Sequence, residues 1–262
     1  MLLAEPQPTR ADLHFRLAGI PVRVSCWFWL TAALLGWGSA RGMAGDDGRA
    51  LLVYLTVWAA VVLFSILVHE LGHAVAFANC GQRSRIVLCH FGGLAVPIGL
   101  PSPGLQRPSR RLLVAAAGPL AQLAIAGVVI VTVLGAGFQL PAGGLLGRLP
   151  IIGEKLAAAS AAGQPLASPL LNLAVFYFLT VNIGWAFLNL LPVVPLDGGT
   201  VVQEGLQLLG VSAAAGIAAL FGLLIAGIIA VWAFQRQDMF LAIMFAVLAS
   251  GCYQRLLHVG LR

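Results

Sequence analysis

Charge is scarce in this chain. Of its 262 residues only 9% are Asp, Glu, Lys or Arg, while 60% are hydrophobic and the mean hydropathy is +0.96; an average soluble domain is roughly 25% charged. So little polar surface excludes a soluble globule and leaves none for a second, water-facing domain, so residues 1–262 read as a single membrane domain. Lysine is all but missing: Lys155 is the only one among 15 cationic residues. With Ala and Gly abundant, that bias points to GC-rich bacterial coding and hence to a bacterial inner or plasma membrane. Cysteine is equally sparse. Cys26, Cys80, Cys89 and Cys252 form no CxxC pair, which excludes a disulfide framework and a thiolate zinc knuckle. The net charge of +6 does not signal nucleic acid, because the arginines are scattered through loops between apolar runs, where they anchor topology and headgroups.

What the chain does have is a series of long apolar runs. About 20 mainly apolar residues make a helix that crosses the bilayer, and on this criterion the sequence predicts six spans, at 22–40, 50–79, 111–138, 169–191, 212–234 and 238–258. The expected fold class is an all-α polytopic membrane protein. Residues 86–100 are apolar but too few to cross, and Gly92, Gly93, Pro97 and Gly99 interrupt any helix, so this segment reads as a short re-entrant β-hairpin between the second and third spans. Residues 141–168, rich in Gly, Ala, Ser and Pro and carrying Arg148, Glu154 and Lys155, read as an external loop with one short interfacial helix. The segment ahead of the first run is long and contains Pro6, Pro8 and Asp12, which favours an uncleaved span over a signal peptide. This threading leaves ten cationic residues on the side of the termini and five on the other, so the positive-inside rule puts both termini in the cytoplasm.

The chemistry concentrates in the second span, where His69, Glu70 and His73 form HELGH. Histidines at i and i+4 share one helix face and can reach one zinc ion, while the adjacent Glu can take a proton from water on that ion. Three ionisable groups inside an apolar helix mark a functional site by default. A catalytic zinc takes a third protein ligand, and carboxylates are few. Most lie in the tail or in loops, leaving Asp197 and Glu204; Glu204 reads as an exposed helix residue. Asp197 sits at 189–199, where Pro192 and Pro195 break the backbone and Gly198 and Gly199 permit close approach. Broken helices at membrane depth belong beside cavities. The competing role for Asp197 is a helix N-cap, and the two are compatible. Counted at 1.5 Å per residue, His69 and His73 lie about 6 to 12 Å from the midplane on the cytoplasmic side, where the fourth span also ends.

These motifs together resemble the site-2 protease family of intramembrane zinc metalloproteases. The resemblance rests on HELGH within a helix, the NxxPxxxLDGG pattern from Asn189 to Gly199, Phe91-Gly92-Gly93 in the hairpin and Ala117-Gly118-Pro119 early in the third span. It implies that His69, His73 and Asp197 ligate one zinc, that Glu70 is the general base, and that a catalytic core at about 50–210 is flanked by further spans. In the family an Asn often follows the Gly-Pro pair by three residues; here Gln122 keeps the amide, for substrate or intermediate binding. Asn189 occupies a family position suited to the same task. Gly92 and Gly93 would let an extended substrate add to the hairpin as a strand. Neither a PDZ insertion nor a nucleotide-sensing module is expected, so regulation is assigned to a separate membrane partner.

The resulting expectation is a zinc-dependent endopeptidase that cleaves a transmembrane or membrane-proximal segment of a membrane-protein substrate, in regulated intramembrane proteolysis. Two alternatives use the same residues. A metal transporter does not need the Glu beside the first His and commonly has inverted repeats, absent here; a catalytically silent scaffold does not need intact HELGH and LDGG. Asn172 and Asn182 read as interhelical hydrogen-bonding groups. His90, beside Cys89 at the hairpin, reads as an interfacial histidine, with metal contact as the alternative.

Overall fold

The computed structural model describes residues 6–90, 92–141, 146–147 and 153–260; Phe91, Arg148 and Glu5 lie outside that set. Five helices among the described residues are long and apolar enough to cross a membrane. They coincide with five of the six expected spans: α2 (Gly48–Asn79), α3 (Pro108–Gly135), α5 (Pro169–Asn189), α7 (Ala214–Gln235) and α8 (Met239–Gly260). The chain is a multi-pass membrane protein. Helix starts follow the local chemistry. Asp47 caps α2 by accepting from the backbone N–H groups of Arg49 and Ala50, Ser168 caps α5 through Leu171, and Pro108 and Pro169 occupy first-turn positions where a missing N–H costs nothing.

The first expected span differs. Helix α1 runs over Cys26–Ala44, and Trp27, Trp29, Trp37, several glycines and Arg41 dilute its apolar character below that of the other five. Residues 22–24, assigned to this span from sequence, belong instead to a strand. Strand β1 (Leu13–Leu17) pairs antiparallel with β2 (Ile20–Val24), and β2 pairs parallel with β3 (Ser84–Cys89), with Val22 opposite Ile86. Strand β3 then pairs antiparallel with β4 (Gly92–Pro97), giving a four-stranded sheet in the order β1-β2-β3-β4. The expected hairpin is thus half of a larger sheet, and β4 is one of its edges. Val22, Val24, Ile86 and Leu88 are buried against Phe28, Val62, Ile66 and Val181, which seats the sheet on α1, α2 and α5. The N-terminal segment is tied down by Asp12, whose carboxylate accepts from the Thr9 hydroxyl at 2.6 Å, Arg23 at 3.3 Å and the Cys26 backbone at 3.2 Å.

In the loop at 141–168 a short helix α4 (Gly153–Ala161) is present. Beyond α5 the chain does not continue as a helix. Residues 190–196 form a compact turn whose Val193 and Val194 are buried against Ala226, Phe245, Leu248 and Cys252 of α7 and α8. Helix α6 (Asp197–Leu208) follows, starting at Asp197 rather than near Thr200. This turn fixes where α6 begins. A Cβ on Gly198 or Gly199 would run into the backbone of Leu191 or Val194, so only glycine lets α6 start this close to the turn.

Candidate metal centre

Helix α2 brings His69 and His73 to one face, one turn apart, as the i, i+4 spacing requires. Close packing of α3 then fixes both rings. Gly72 lies so near α3 that a Cβ would meet the Ala117 carbonyl at 2.5 Å, and a Cβ on Gly118 of α3 would meet His69 Nε2 at 2.8 Å. The glycine of HELGH and that of the Ala-Gly-Pro segment of α3 therefore make one close contact between the two helices. Across it, His69 Nδ1 donates to Gln122 Oε1 at 2.9 Å, and His73 Nδ1 donates to the Val114 carbonyl at 2.7 Å. Gln122 is oriented in turn by donating its Nε2 to the Ser65 carbonyl at 3.2 Å.

These hydrogen bonds decide the tautomers. A carbonyl only accepts, and the Gln122 oxygen only accepts, so each Nδ1 carries its proton and each neutral ring keeps a lone pair on Nε2. The two Nε2 atoms face each other at 3.0 Å. Asp197, at the first turn of α6, completes the group: its Oδ2 lies 3.1 Å from His69 Nε2 and its Oδ1 lies 3.4 Å from His73 Nε2. Asp197 Oδ2 is buried with no hydrogen-bond partner among the described residues. Three acceptor groups pointing at one another with no donor between them are repulsive unless a cation sits among them. The ligand atoms of His69, His73 and Asp197 all lie within 4.8 Å of one another, a spacing and donor set that fit one zinc ion with bonds of about 2.0 to 2.2 Å. Asp197 makes no side-chain capping bond, the cap position being Leu196.

Glu70, next to His69 and 3% exposed, turns its carboxyl toward β4. Gly93 packs directly on it: a Cβ there would lie 2.7 Å from Glu70 Cδ and Oε1. A cavity of about 530 Å³ opens in front of these groups, lined by His69, Glu70, His73, Asp197, the Gly92–Ala95 stretch of β4, and Asn189. The Asn189 side-chain amide donates to the Trp185 carbonyl at 3.0 Å, which leaves its oxygen free of that bond. Gly92 borders the same cavity against Trp185.

Gln122, Glu204 and Asn172 depart from expectation, whereas His90 and Asn182 follow it. Gln122 is fully buried and engaged on both ends of its amide, so it supports His69 and does not line the cavity. Glu204, read from sequence as exposed, is 3% exposed and pairs with Arg111 at 2.7 Å; a buried carboxylate needs such a partner. Arg111 belongs to α3, and nothing local in the sequence links it to a residue on α6. His90 borders the cavity in a left-handed backbone conformation (φ 28°) and stacks on Trp27, outside the three-residue metal group. Asn182 donates to Ser65 Oγ at 2.8 Å, the interhelical bond expected of it, while Asn172 is exposed.

The sequence matches the model of peptidase family M50 over residues 57–226. Two curated relatives carry zinc-metalloprotease names. Rip3 of Mycobacterium tuberculosis is 28% identical over 197 residues, and sll0528 of Synechocystis is 31% identical over 194; each match covers 72% of this chain and 42% of the relative. The chain thus spans less than half the length of these relatives. Among solved structures, the site-2 protease from Methanocaldococcus jannaschii superposes with a TM-score of 0.54 at 22% identity, covering 94% of this chain and 95% of that one.

Proposed function

The chain belongs to peptidase family M50, the site-2 protease family, and from that membership and the site geometry we propose that it is a zinc-dependent intramembrane endopeptidase. In this reading residues 1–262 form one proteolytic unit, and the substrate is a membrane protein cut within or beside a transmembrane segment. His69, His73 and Asp197 would hold the metal, and a zinc ion bound there would supply Lewis acidity to a water and to the scissile carbonyl. Glu70 takes the proton from the attacking water and later delivers it to the leaving amine. Its position in the HELGH helix keeps it beside the ligands without being one of them. Gln122 and the Val114 carbonyl hold the rings so that Nε2 faces the metal.

A transmembrane helix hides its amides in intrahelical hydrogen bonds, so a substrate must be extended before attack. β4 is a sheet edge beside Glu70, and we assign it the task of pairing with the extended substrate, Gly92 and Gly93 allowing the approach. To Asn189, which lines the same cavity, we assign the task of donating to or orienting the substrate carbonyl. The distribution of arginines supports cytoplasmic termini and a site nearer the cytoplasmic face. Cleavage at that depth suits regulated intramembrane proteolysis, with the lipid bilayer around the chain and a membrane partner controlling substrate access.

The observation that carries this reading is that Glu70, which is not part of the metal group, shares one cavity with all three metal-group residues and with an unpaired strand edge. A transporter or scaffold has no use for that extra carboxylate. The test compares membrane-protein fragments in cells carrying the wild type and Glu70→Gln: proteins that stay uncut only with the variant are the expected result, and identical fragment profiles contradict the assignment.

A further inference from the structure

The pair formed by partly exposed Arg111 and buried Glu204 lies outside the metal group, yet it is built from the two helices that position that group. On α3, the positions 111, 115, 118 and 122 form one stripe at helical spacing. Gly118 packs on the histidine rings, Gln122 holds His69, Ala115 lines the cavity, and Arg111 stands at the end of the stripe. One turn along from Arg111, the Val114 carbonyl holds His73. On α6, Asp197 and Glu204 are seven residues apart, so they share a face about 10 Å apart along the axis. The Arg111 guanidinium spans the two helices. It meets Glu204 Oε2 at 2.7 Å, donates to Gln207 Oε1 at 2.8 Å, and donates to the carbonyls of Leu105 and Gln106 at 3.1 and 2.8 Å.

The backbone at Asp197 is seated by the packing of Gly198 and Gly199 on the preceding turn, but its side chain has no comparable tether. Asp197 begins α6 after a proline-broken turn, and its side chain makes no capping bond. Nearly buried Glu204 cannot find water in place of Arg111, so this pair ties the second half of α6 to α3, as the turn ties its start. We propose that Arg111 and Glu204 are positioning residues for the third metal ligand: α3 holds the two histidines through Val114 and Gln122 and, through Arg111, sets where α6 presents Asp197. This rests on the metal-site reading given above. A Lys at 111 would supply the charge but not the planar fork that reaches two side chains and two carbonyls at once.

The test uses the full chain purified in detergent, with zinc affinity measured by competition against a chromophoric chelator and thermal stability measured on the metal-stripped protein. Arg111→Gln and Glu204→Gln are each expected to weaken zinc binding by about 10- to 100-fold, the range found for groups that orient ligands. Arg111→Lys should fall between those variants and the wild type, and the exchange Arg111→Glu with Glu204→Arg should recover part of the loss. A purely structural pair would lower the melting temperature of the stripped protein and leave zinc affinity unchanged; that result overturns the proposal. If Arg111→Gln does not accumulate, Glu204→Gln, which keeps size and hydrogen-bonding capacity, decides alone. Failure of the wild type to bind zinc overturns the metal-site reading and this proposal with it; zinc binding by the wild type with unchanged affinity in both single variants overturns this proposal only.

Discussion

Gly93→Ala is the sharpest probe of how the strand edge and Glu70 are built together. The added methyl would lie 2.7 Å from Glu70 Cδ and Oε1, where ordinary contact needs 3.4 to 4 Å. Glu70 Cγ lies closer still, so either the Glu70 side chain or β4 must give way by about 1 Å or more, and a misplacement of about 1 Å in a catalytic group costs on the order of 100-fold in rate. That corresponds to about 2.7 kcal/mol of transition-state stabilisation. Zinc affinity should change little, because the methyl meets Glu70 and none of the three ligands. Gly127→Ala, on α3 and outside the cavity, is the control. Its methyl meets nothing within 4 Å, so activity should stay near that of the wild type. Both variants would be assayed in detergent on a transmembrane peptide, following kcat and zinc content on the same preparations. A wild-type kcat in Gly93→Ala, or equal damage from Gly127→Ala, would refute the account of why glycine stands at 93.

Three further outcomes are expected. Asp197→Ser should lose zinc at matched free metal while the protein still inserts; full occupancy with normal cleavage would remove Asp197 from the ligand set. Gln122→Leu removes the acceptor for His69 Nδ1 and should weaken zinc binding by about 10- to 100-fold, whereas unchanged affinity would show that the ring needs no such support. Cysteine labelling in intact cells should reach positions near Ala44 and Gly163 from outside, and those near Arg107 and Gly210 only from the cytoplasm. Finding Arg107 and Gly210 on opposite faces would separate α2 from α6 and break the site.

The residues that the fold gathers into the candidate metal centre are legible because their signals are local. The four-residue spacing of His69 and His73 puts them on one helix face whatever surrounds them, and Pro192, Pro195 and the two glycines announce a broken helix before Asp197. Five of the spans were legible for the same reason, a long apolar run being sufficient. What escaped depends on residues far apart. β2 pairs with β3 across about sixty residues, and its few apolar positions run straight into α1, so hydropathy alone merged them into one span. Arg111 and Glu204 lie 93 residues apart in sequence, and a lone Glu on an amphipathic helix reads as solvent-facing until its partner is placed. Gln122 was misread for a related cause: its amide suits a substrate or a histidine equally, and only the close approach of α2 and α3 at Gly72 and Gly118 directs it to His69.

The central claim separates two roles within one motif, ligation by His69, His73 and Asp197 and proton transfer by Glu70. It is tested most directly by measuring zinc per chain and cleavage of a transmembrane peptide on the same purified samples of wild type and Glu70→Gln. The account predicts one zinc per chain in both proteins, with cleavage in the wild type alone. Loss of zinc from Glu70→Gln would make Glu70 a ligand, and cleavage by Glu70→Gln at the wild-type rate would contradict its role as the base.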